Sequence, residues 1–277
     1  MSKSVVIIGA GFAGLSAAAF MARGGWQVTV VEKNHTAGGR AQQLVSDGFT
    51  FDMGPSWYWM PDVFERFFNQ FGKSVSDYYS LARLNPSYRV YWQDGHLDVP
   101  ADYGELKTAF ERLESGSSQK LDKYLQEATV KYRIGIQDLV YKPGQSLTEF
   151  IDWNLIRNVF KLDVFTSIKS HVAKHFKSEK LRQLMEFPVL FLGALPENTP
   201  ALYSLMNYAD IVGGTWYPEG GMFSIVKAMQ ALAQDLGVRF QFGEAAREII
   251  IEKGKAKTLI TDKGRYTADA IISGADY

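Results

Sequence analysis

Short apolar runs and helix-spaced apolar stripes alternate along this chain and divide it into regions of different pattern. Residues 5–8 and 27–31 are β-branched runs, and an alanine-rich segment lies between them. Such runs are typical of buried parallel strands, so the N-terminal region predicts a strand, a helix and a second strand. Strand patterns return near the C-terminus at residues 246–251, 256–261 and 270–273.

The middle of the chain has a mainly helical pattern. Apolar side chains at helical spacing predict a helix over residues 63–71. Short strands are predicted at residues 81–84, 88–92 and 96–99, with Asp94-Gly95 as a hairpin turn. Residues 102–209 predict helices, with breaks at Gly116, Gly144, Pro188, Pro196 and Pro200.

No Gly/Ser-rich or Pro-rich linker flanks this middle region, so we interpret it as an insertion and not as a tethered domain. The predicted fold class is α/β. A Rossmann-like nucleotide-binding domain, a parallel sheet with a β-meander, comprises residues 1–80 and 213–277. It is split by an inserted mixed helical and antiparallel-sheet domain, residues 81–212, that is expected to bind the substrate.

The turn after the first strand carries the glycine spacing of a dinucleotide site. Gly9 allows a tight turn, Gly11 allows the backbone to approach a pyrophosphate, and Gly14 allows close packing of the helix on the sheet. The helix N-terminus then offers free N–H groups to phosphates. Glu32 ends the second strand, where a carboxylate accepts from ribose hydroxyls and repels a 2′-phosphate. The ordered set predicts a dinucleotide that is not NADP.

The residues after Glu32 favour FAD over NAD. Gly38-Gly39-Arg40 resembles the second fingerprint of the FAD-dependent amine oxidase and desaturase superfamily. Two glycines allow the backbone to lie against a pyrophosphate, and an arginine adds fixed positive charge. FAD is therefore the predicted cofactor.

Composition excludes several other classes. Thirty Lys and Arg balance thirty Asp and Glu, so no overall field attracts nucleic acid. The chain has no cysteine, which excludes disulfides and thiolate chemistry. Of the four histidines, His171 and His175 form an i,i+4 pair, but no nearby acid completes a zinc signature. We therefore expect no metal site and an exposed pair.

Four further segments make the resemblance specific. They are residues 52–57 (DMGPSW), 187–193 (FPVLFLG), 199–203 (TPALY) and 217–221 (YPEGG). Together with the N-terminal motifs they resemble the FAD-dependent phytoene desaturase family of carotenoid biosynthesis, over the whole chain. Family members continue beyond a segment such as residues 268–276 with a glycine-rich segment and a final helix, so this chain is expected to be a fragment or truncated.

The resemblance implies which residues hold FAD. Ala246 falls where the family often has a valine whose backbone meets the adenine, and the loop at Gly220 and Gly221 is expected near the flavin. The implied cofactor-binding residues are Gly9, Gly11, Phe12, Ala13, Gly14, Glu32, Lys33, Gly38, Gly39, Arg40, Gly54, Pro55, Ser56 and Ala246.

The implied reaction is removal of two hydrogens from neighbouring carbons of phytoene or a related acyclic carotenoid, with hydride transfer to the flavin. It needs no protein nucleophile. Glu219 and Asp52 are the weak catalytic candidates, and both residue types more often cap backbone or carry surface charge. Quinone or oxygen is the expected electron acceptor.

A long apolar polyene requires delivery from a lipid phase, so we expect a cytoplasmic enzyme that associates peripherally with a membrane. No signal-peptide core precedes residue 5, and no apolar run is long enough to span a bilayer. Residues 187–196 form an uncharged apolar run, and residues 161–182 are interpreted as a basic amphipathic helix bearing Lys161 and Phe165. Buried packing is the alternative interpretation of the apolar run, and a solvated face that of the basic segment.

Two other function classes share the nucleotide fold. A flavin amine oxidase forms hydrogen peroxide from a small amine, whereas a desaturase shifts a polyene spectrum to longer wavelength. A non-catalytic FAD-binding escort retains a flavin that no substrate bleaches. Within the family, a carotenoid isomerase and a 3,4-desaturase are also compatible with the motifs.

Overall fold

The computed structural model describes residues 2–141, 146 and 162–275. The chain divides into two compact units. The first comprises Met1–Tyr58, Asp62–Ala82 and Tyr217–Tyr277, and the second comprises Trp59–Pro61 and Arg83–Trp216. Arg83–Trp216 is the main part of the second unit, and the insertion over residues 81–212 stays a prediction.

Strands and helices occur in both units. The strands are β1 (Ser4–Ile8), β2 (Gln27–Glu32), β3 (Gln42–Ser46), β4 (Phe49–Met53), β5 (Leu81–Arg83), β6 (Tyr88–Trp92), β7 (Gly95–Val99), β8 (Trp216–Pro218), β9 (Arg239–Phe242), β10 (Ala246–Glu252), β11 (Lys255–Thr261), β12 (Arg265–Thr267) and β13 (Ala270–Ser273). The α-helices are α1 (Phe12–Arg23), α2 (Pro61–Asn69), α3 (Tyr103–Leu113), α4 (Ser117–Tyr132), α5 (Ile168–His175), α6 (Glu179–Glu186), α7 (Leu205–Asn207) and α8 (Phe223–Asp235). Short 3-10 helices lie at Val75–Asp77, Phe187–Leu192 and Ala201–Ser204, and π-helical turns at Arg133–Leu139 and Tyr208–Val212.

A four-stranded parallel sheet forms the centre of the first unit, in the order β13-β1-β2-β9. The apolar residues of β1 and β2 are mostly buried, as their uninterrupted runs predict, and those of β9 and β13 are half-buried. Helix α1 packs beside the sheet with Leu15 and Ala18 fully buried. The strands β10, β11 and β12 form an antiparallel meander. The predicted α/β class with a parallel sheet and a meander is confirmed.

A hairpin that the sequence analysis did not identify follows the second strand. β3 and β4 pair antiparallel, and Ser46 lies opposite Phe49, so the turn is Asp47-Gly48. Both turn residues have positive φ, 50° and 82°. This backbone matches the two-residue turn that Asp-Gly favours between strands. Phe49 and Phe51 of this hairpin are exposed.

Helices build the core of the second unit. Buried side chains of α3, α4, α5 and α6 form one apolar cluster that includes Phe110, Leu121 and Met185. The strands β6 and β7 form the predicted hairpin, but Trp92 pairs with Gly95. The turn is therefore Gln93-Asp94, one residue before the predicted Asp94-Gly95. The predicted break at Gly144 lies outside the described residues.

The predicted basic amphipathic helix over residues 161–182 is wrong. Two short helices, α5 and α6, are separated by Phe176–Ser178, and Lys161 lies outside the described residues. Ile168, Val172 and Phe176 are fully buried in the helical core. The apolar face of this stretch is therefore covered by the unit itself, although Phe165 is 92% exposed.

The expectation of an exposed histidine pair is also wrong. His171 is buried at 4% exposure, and Glu127 on α4 lies beside both His171 and His175. Burial, together with the nearby Lys131 ammonium, lowers the pKa of His171 to about 4. The sequence pattern did not indicate Glu127 as a neighbour of the histidines, because α4 and α5 are far apart along the chain. Among the described helices, none has both the length and the apolar composition that crossing a membrane requires.

Candidate dinucleotide site

The turn from β1 into α1 has a backbone that only glycine accommodates at two positions. Gly9 has φ of +92°, and its N–H donates to the Val31 carbonyl at 2.8 Å. An added Cβ at Gly14 would lie 1.9 Å from the Gly9 carbonyl oxygen. The helix therefore passes directly against the turn, as the spacing of the glycines predicts.

The N-terminus of α1 is open to an anion. Gly11 is the N-cap with extended backbone, and among the described residues no side chain caps it. Phe12 is half-buried and Ala13 is exposed in the first turn. The first N–H groups of a helix lack intrahelical partners and carry the positive end of its dipole. This terminus can therefore bind phosphate oxygens.

Glu32 holds the glycine turn to the end of β2. The carboxylate is buried, and its two oxygens accept from the Ala10 N–H at 2.8 Å and the Asn34 N–H at 2.9 Å. Each carboxylate oxygen has a further lone pair that a ribose hydroxyl can use. Lys33 follows and is exposed. Glu32 thus has a structural role in addition to the predicted ribose contact.

The Gly38-Gly39 segment packs against this turn through backbone alone. The Gly38 N–H donates to the Ala10 carbonyl at 2.8 Å. A Cβ at Gly39 would lie 3.1 Å from the Gly11 Cα, and one at Gly38 would lie 2.2 Å from the Ala41 carbonyl oxygen. Arg40, the next residue, is exposed. The two glycine motifs are therefore brought together as expected for one pyrophosphate.

A third segment joins them at Gly54. This residue has φ of +99°, and a Cβ would lie 2.2 Å from the Arg40 carbonyl oxygen. Pro55 is half-buried and Ser56 is exposed. Residues 9–14, 38–40 and 54–56 thus form one group of backbone segments in close contact, which we call the glycine cradle.

Asp52 connects the cradle to the loop of residues 217–222. Its carboxylate accepts from the Tyr217 hydroxyl and from the Met222 N–H, the latter at 3.0 Å. The hydrogen bond to Asp52 and partial burial raise the pKa of Tyr217 to about 12. Gly221 passes so near that a Cβ would lie 3.1 Å from Asp52 Oδ1. Glu219, the other catalytic candidate, is exposed on this loop.

Ala246 begins β10 and packs on the apolar cluster of Val6 and Val31. Two residues earlier lies Glu244, a buried carboxylate that the sequence analysis did not single out. Its N–H donates to the Glu32 carbonyl at 2.9 Å, and its carboxylate accepts from the Tyr266 and Thr261 hydroxyls. Glu244 therefore fixes the chain beside the end of β2. No local motif marks it, because its partners come from later strands.

The geometry of the glycine cradle suits the pyrophosphate of a dinucleotide. Its glycines leave no room for side chains at Gly14, Gly38 and Gly54, and the uncapped helix directs N–H groups outward. A buried acid lies at the end of the second strand, where a ribose is expected. The exposed Arg40 adds positive charge beside the cradle.

Comparison with known proteins identifies the family of this chain. Residues 12–277 match the family model for flavin containing amine oxidoreductase. The chain is 39% identical to a carotenoid 3,4-desaturase of Haloarcula japonica, over 99% of this chain and 56% of the relative. It is 33% identical to a zeta-carotene-forming phytoene desaturase of Myxococcus xanthus, over 99% and 53%. The resemblance to carotenoid desaturases predicted from the motifs is confirmed.

A solved structure supports the fold. An oxidoreductase from Methanosarcina mazei superposes with a TM-score of 0.59 at 22% identity, over 98% of this chain and 58% of that one. At this identity the likeness concerns the fold alone. The chain spans about half the length of the curated relatives that it matches.

Proposed function

Because the chain belongs to the flavin containing amine oxidoreductase family, we propose that it binds FAD and functions in carotenoid desaturation. The observation that carries the proposal is the glycine cradle, in which three separate backbone segments meet beside an uncapped helix N-terminus. The sequence similarity to two carotenoid desaturases supplies the substrate class.

The cradle residues bind the cofactor in this proposal. The N–H groups at the start of α1 bind the pyrophosphate, Glu32 accepts from the ribose, and Arg40 supplies positive charge. Ala246, at the start of β10, contacts the adenine through its backbone in this proposal. When bound, FAD supplies hydride acceptance. The protein's own contribution is to bind, orient and exclude water.

The two carboxylate candidates have different roles in this proposal. Asp52 is a positioning residue, because both its oxygens already accept from the 217–222 loop. It holds Gly220 and Gly221 beside the cradle, where the flavin ring is expected. Glu219 is exposed and stays a candidate for accepting a proton. We assign no catalytic base.

The substrate is an acyclic carotenoid, with phytoene as the leading candidate. The names of the two relatives indicate different steps of carotenoid desaturation, since one is a phytoene desaturase and the other a carotenoid 3,4-desaturase. An identity of 33–39% supports the class of polyene and not the individual bond. Quinone or oxygen is proposed as the final electron acceptor.

The test is FAD binding and phytoene conversion by the protein that carries this chain. We expect yellow protein and a shift of the extracted pigment to longer wavelength after incubation with phytoene liposomes. Gly14→Ala places a Cβ against the Gly9 carbonyl and should weaken FAD binding at least tenfold. Gly264→Ala is the matched control, since Gly264, like Gly14, has no positive φ, and its added Cβ would meet only Glu244 Oε1, at an ordinary contact distance of 3.8 Å. Equal FAD retention by both variants would refute the assignment of the cradle, and hydrogen peroxide from amines without pigment change would favour an amine oxidase.

We further propose that the second unit contacts a membrane surface, from which a polyene can be taken. The segment after α6 exposes Leu190, Phe191, Leu192 and Leu195 by 43–57% of their surfaces, so the apolar run is only partly buried. A cavity of about 360 Å³, mainly apolar in character, lies between Leu190 and Tyr91. Such exposed apolar groups are typical of surfaces that bind lipid or other proteins.

Liposome flotation tests this contact. The double variant Leu190→Ser, Phe191→Ser should reduce the fraction of protein that floats with liposomes several-fold, because two apolar side chains no longer enter the lipid. Val212→Ser is the control, as Val212 is similarly exposed elsewhere in the same unit. Unchanged flotation of the double variant would refute the proposed contact.

A further inference from the structure

A cluster of metal-ligating side chains lies in the second unit, within that unit alone. Glu127 on α4 faces His171 and His175, which are one turn apart on α5. Glu127 Oε2 is 3.5 Å from His171 Nε2 and 3.5 Å from His175 Nε2. One ligand atom from each residue can be chosen so that all three lie within 4.8 Å of one another.

These distances suit a shared cation better than direct hydrogen bonds. A normal N–H···O hydrogen bond spans about 2.7–3.2 Å, so both separations are too long. A tetrahedral Zn²⁺ with ligands at about 2.0–2.1 Å has neighbouring ligand atoms about 3.3–3.4 Å apart. The carboxylate oxygen therefore sits at nearly the separation from each imidazole that one ion between them requires.

The cluster is rigidly built on one side and open on the other. His171 is buried, and its ring packs against Tyr124 at 5.2 Å between centroids. Glu127 keeps 36% of its side chain exposed. A cavity of about 500 Å³ lies over the three residues and also borders Asp163. An ion can therefore enter from solvent and retain a water molecule as a further ligand.

Positive charge near the cluster limits the affinity. Lys131 Nζ is 3.4 Å from His171 Nε2, and Lys123 and Lys174 border the same cavity. Lys131 keeps other partners when His171 binds an ion, since its Nζ lies 2.9 Å from Asp163 and 3.2 Å from the Ala201 carbonyl. The lysines repel a dication, so moderate binding is expected, weaker than in structural zinc sites.

We propose that Glu127, His171 and His175 bind one divalent transition-metal ion, Zn²⁺ by the character of the donors, and that the ion fastens α4 to α5. Two neutral imidazoles and one carboxylate with an open position form a typical three-ligand zinc set. Asp163 Oδ2 lies 4.0 Å from His171 Nδ1, the ring nitrogen that faces away from Glu127 in this assignment. This metal site uses none of the residues proposed to hold FAD.

Titration with Co²⁺ and Zn²⁺ tests the site in the FAD-loaded protein. Wild type should bind one Co²⁺ with the visible bands of a tetrahedral or five-coordinate site, and Zn²⁺ should displace it and raise the melting temperature. His175→Asn and Glu127→Gln should each weaken binding at least tenfold and abolish the zinc-induced rise. Both positions are less buried than His171, and circular dichroism verifies that the variants fold.

His96→Asn is the matched control, because His96 is an exposed histidine on the β6–β7 hairpin. It should bind the ion as wild type does. Retention of wild-type affinity in both His175→Asn and Glu127→Gln would overturn the proposal. Absence of one-to-one binding to the wild-type protein would also overturn it.

Discussion

Asp210 is a buried carboxyl group whose titration should be visible in the stability of the second unit. It is 3% exposed, and its carboxylate accepts from the Tyr88 hydroxyl at 2.6 Å and from the Thr215 hydroxyl at 3.1 Å. Burial outweighs these two hydrogen bonds and raises the pKa of Asp210 to about 6. The folded chain therefore holds this proton more tightly than the unfolded chain does.

The sign and size of the effect follow from linkage. Between the ordinary aspartate pKa of 3.8 and the folded value of about 6, the folded state binds more protons than the unfolded state. The free energy of unfolding therefore falls as the pH rises through this window. At about 1.4 kcal/mol per pH unit, the loss attributable to Asp210 between pH 4 and pH 7 is about 2–3 kcal/mol.

Asp210→Asn removes the titration and keeps the shape. Urea unfolding of wild type and variant at pH 4.5, 5.5, 6.5 and 7.5, followed by tryptophan fluorescence, measures the difference. We expect the variant to gain stability relative to wild type as the pH rises, by about 2 kcal/mol over this range. Glu248→Gln is the control, because Glu248 is an exposed carboxylate on β10. If the Asp210→Asn and wild-type curves stay parallel, the reasoning about burial is refuted.

Two further predictions concern hydrogen-bonded side chains. Lys131→Met removes a fully buried ammonium bonded to Asp163, the Ala201 carbonyl and the Ser204 hydroxyl, and should lower the free energy of unfolding by about 2 kcal/mol. Lys169→Met breaks an exposed pair with Glu197 at 3.8 Å and should change the free energy of unfolding by less than about 0.5 kcal/mol. Equal effects of Lys131→Met and Lys169→Met in urea unfolding would contradict this account. Tyr217→Phe removes the hydroxyl that donates to Asp52. This change should lower the free energy of unfolding by about 1 kcal/mol and raise the FAD dissociation constant several-fold. Tyr91→Phe on the exposed face of β6 should leave FAD fluorescence titrations unchanged, and unchanged FAD affinity in Tyr217→Phe would remove Asp52 from the positioning role.

The first part of the cradle could be predicted because its requirements are local. Gly9, Gly14 and the β-branched runs that flank them meet steric and burial demands within thirty residues. The β3–β4 hairpin also has a local signal, Asp47-Gly48 followed by alternating Phe49, Phe51 and Met53, which the sequence analysis did not use. An Asp-Gly turn beside alternating apolar residues is typical of a β-hairpin.

The parts that were missed depend on distant partners. Charge and periodicity around residues 161–182 do not specify what covers the apolar side, and Phe176 is in fact covered by Phe110 of α3. Glu127 lies beside His171 only because α4 packs on α5. Glu244 accepts from the Tyr266 hydroxyl only because the strands of the meander pair. Pattern analysis of one segment cannot supply a partner that another segment brings.

The order of the strands in the central sheet has a consequence for synthesis on the ribosome. β1 pairs with β2 on one side and with β13 on the other, with Val5 opposite Ala270. At a translation rate of roughly 5–20 residues per second, β1 waits about 15–50 s for that neighbour. During this interval its outer edge presents unpaired N–H and C=O groups to the cell. Nascent chains should therefore depend on chaperones until β13 emerges, whereas the helices of the second unit pack on one another before that strand is made.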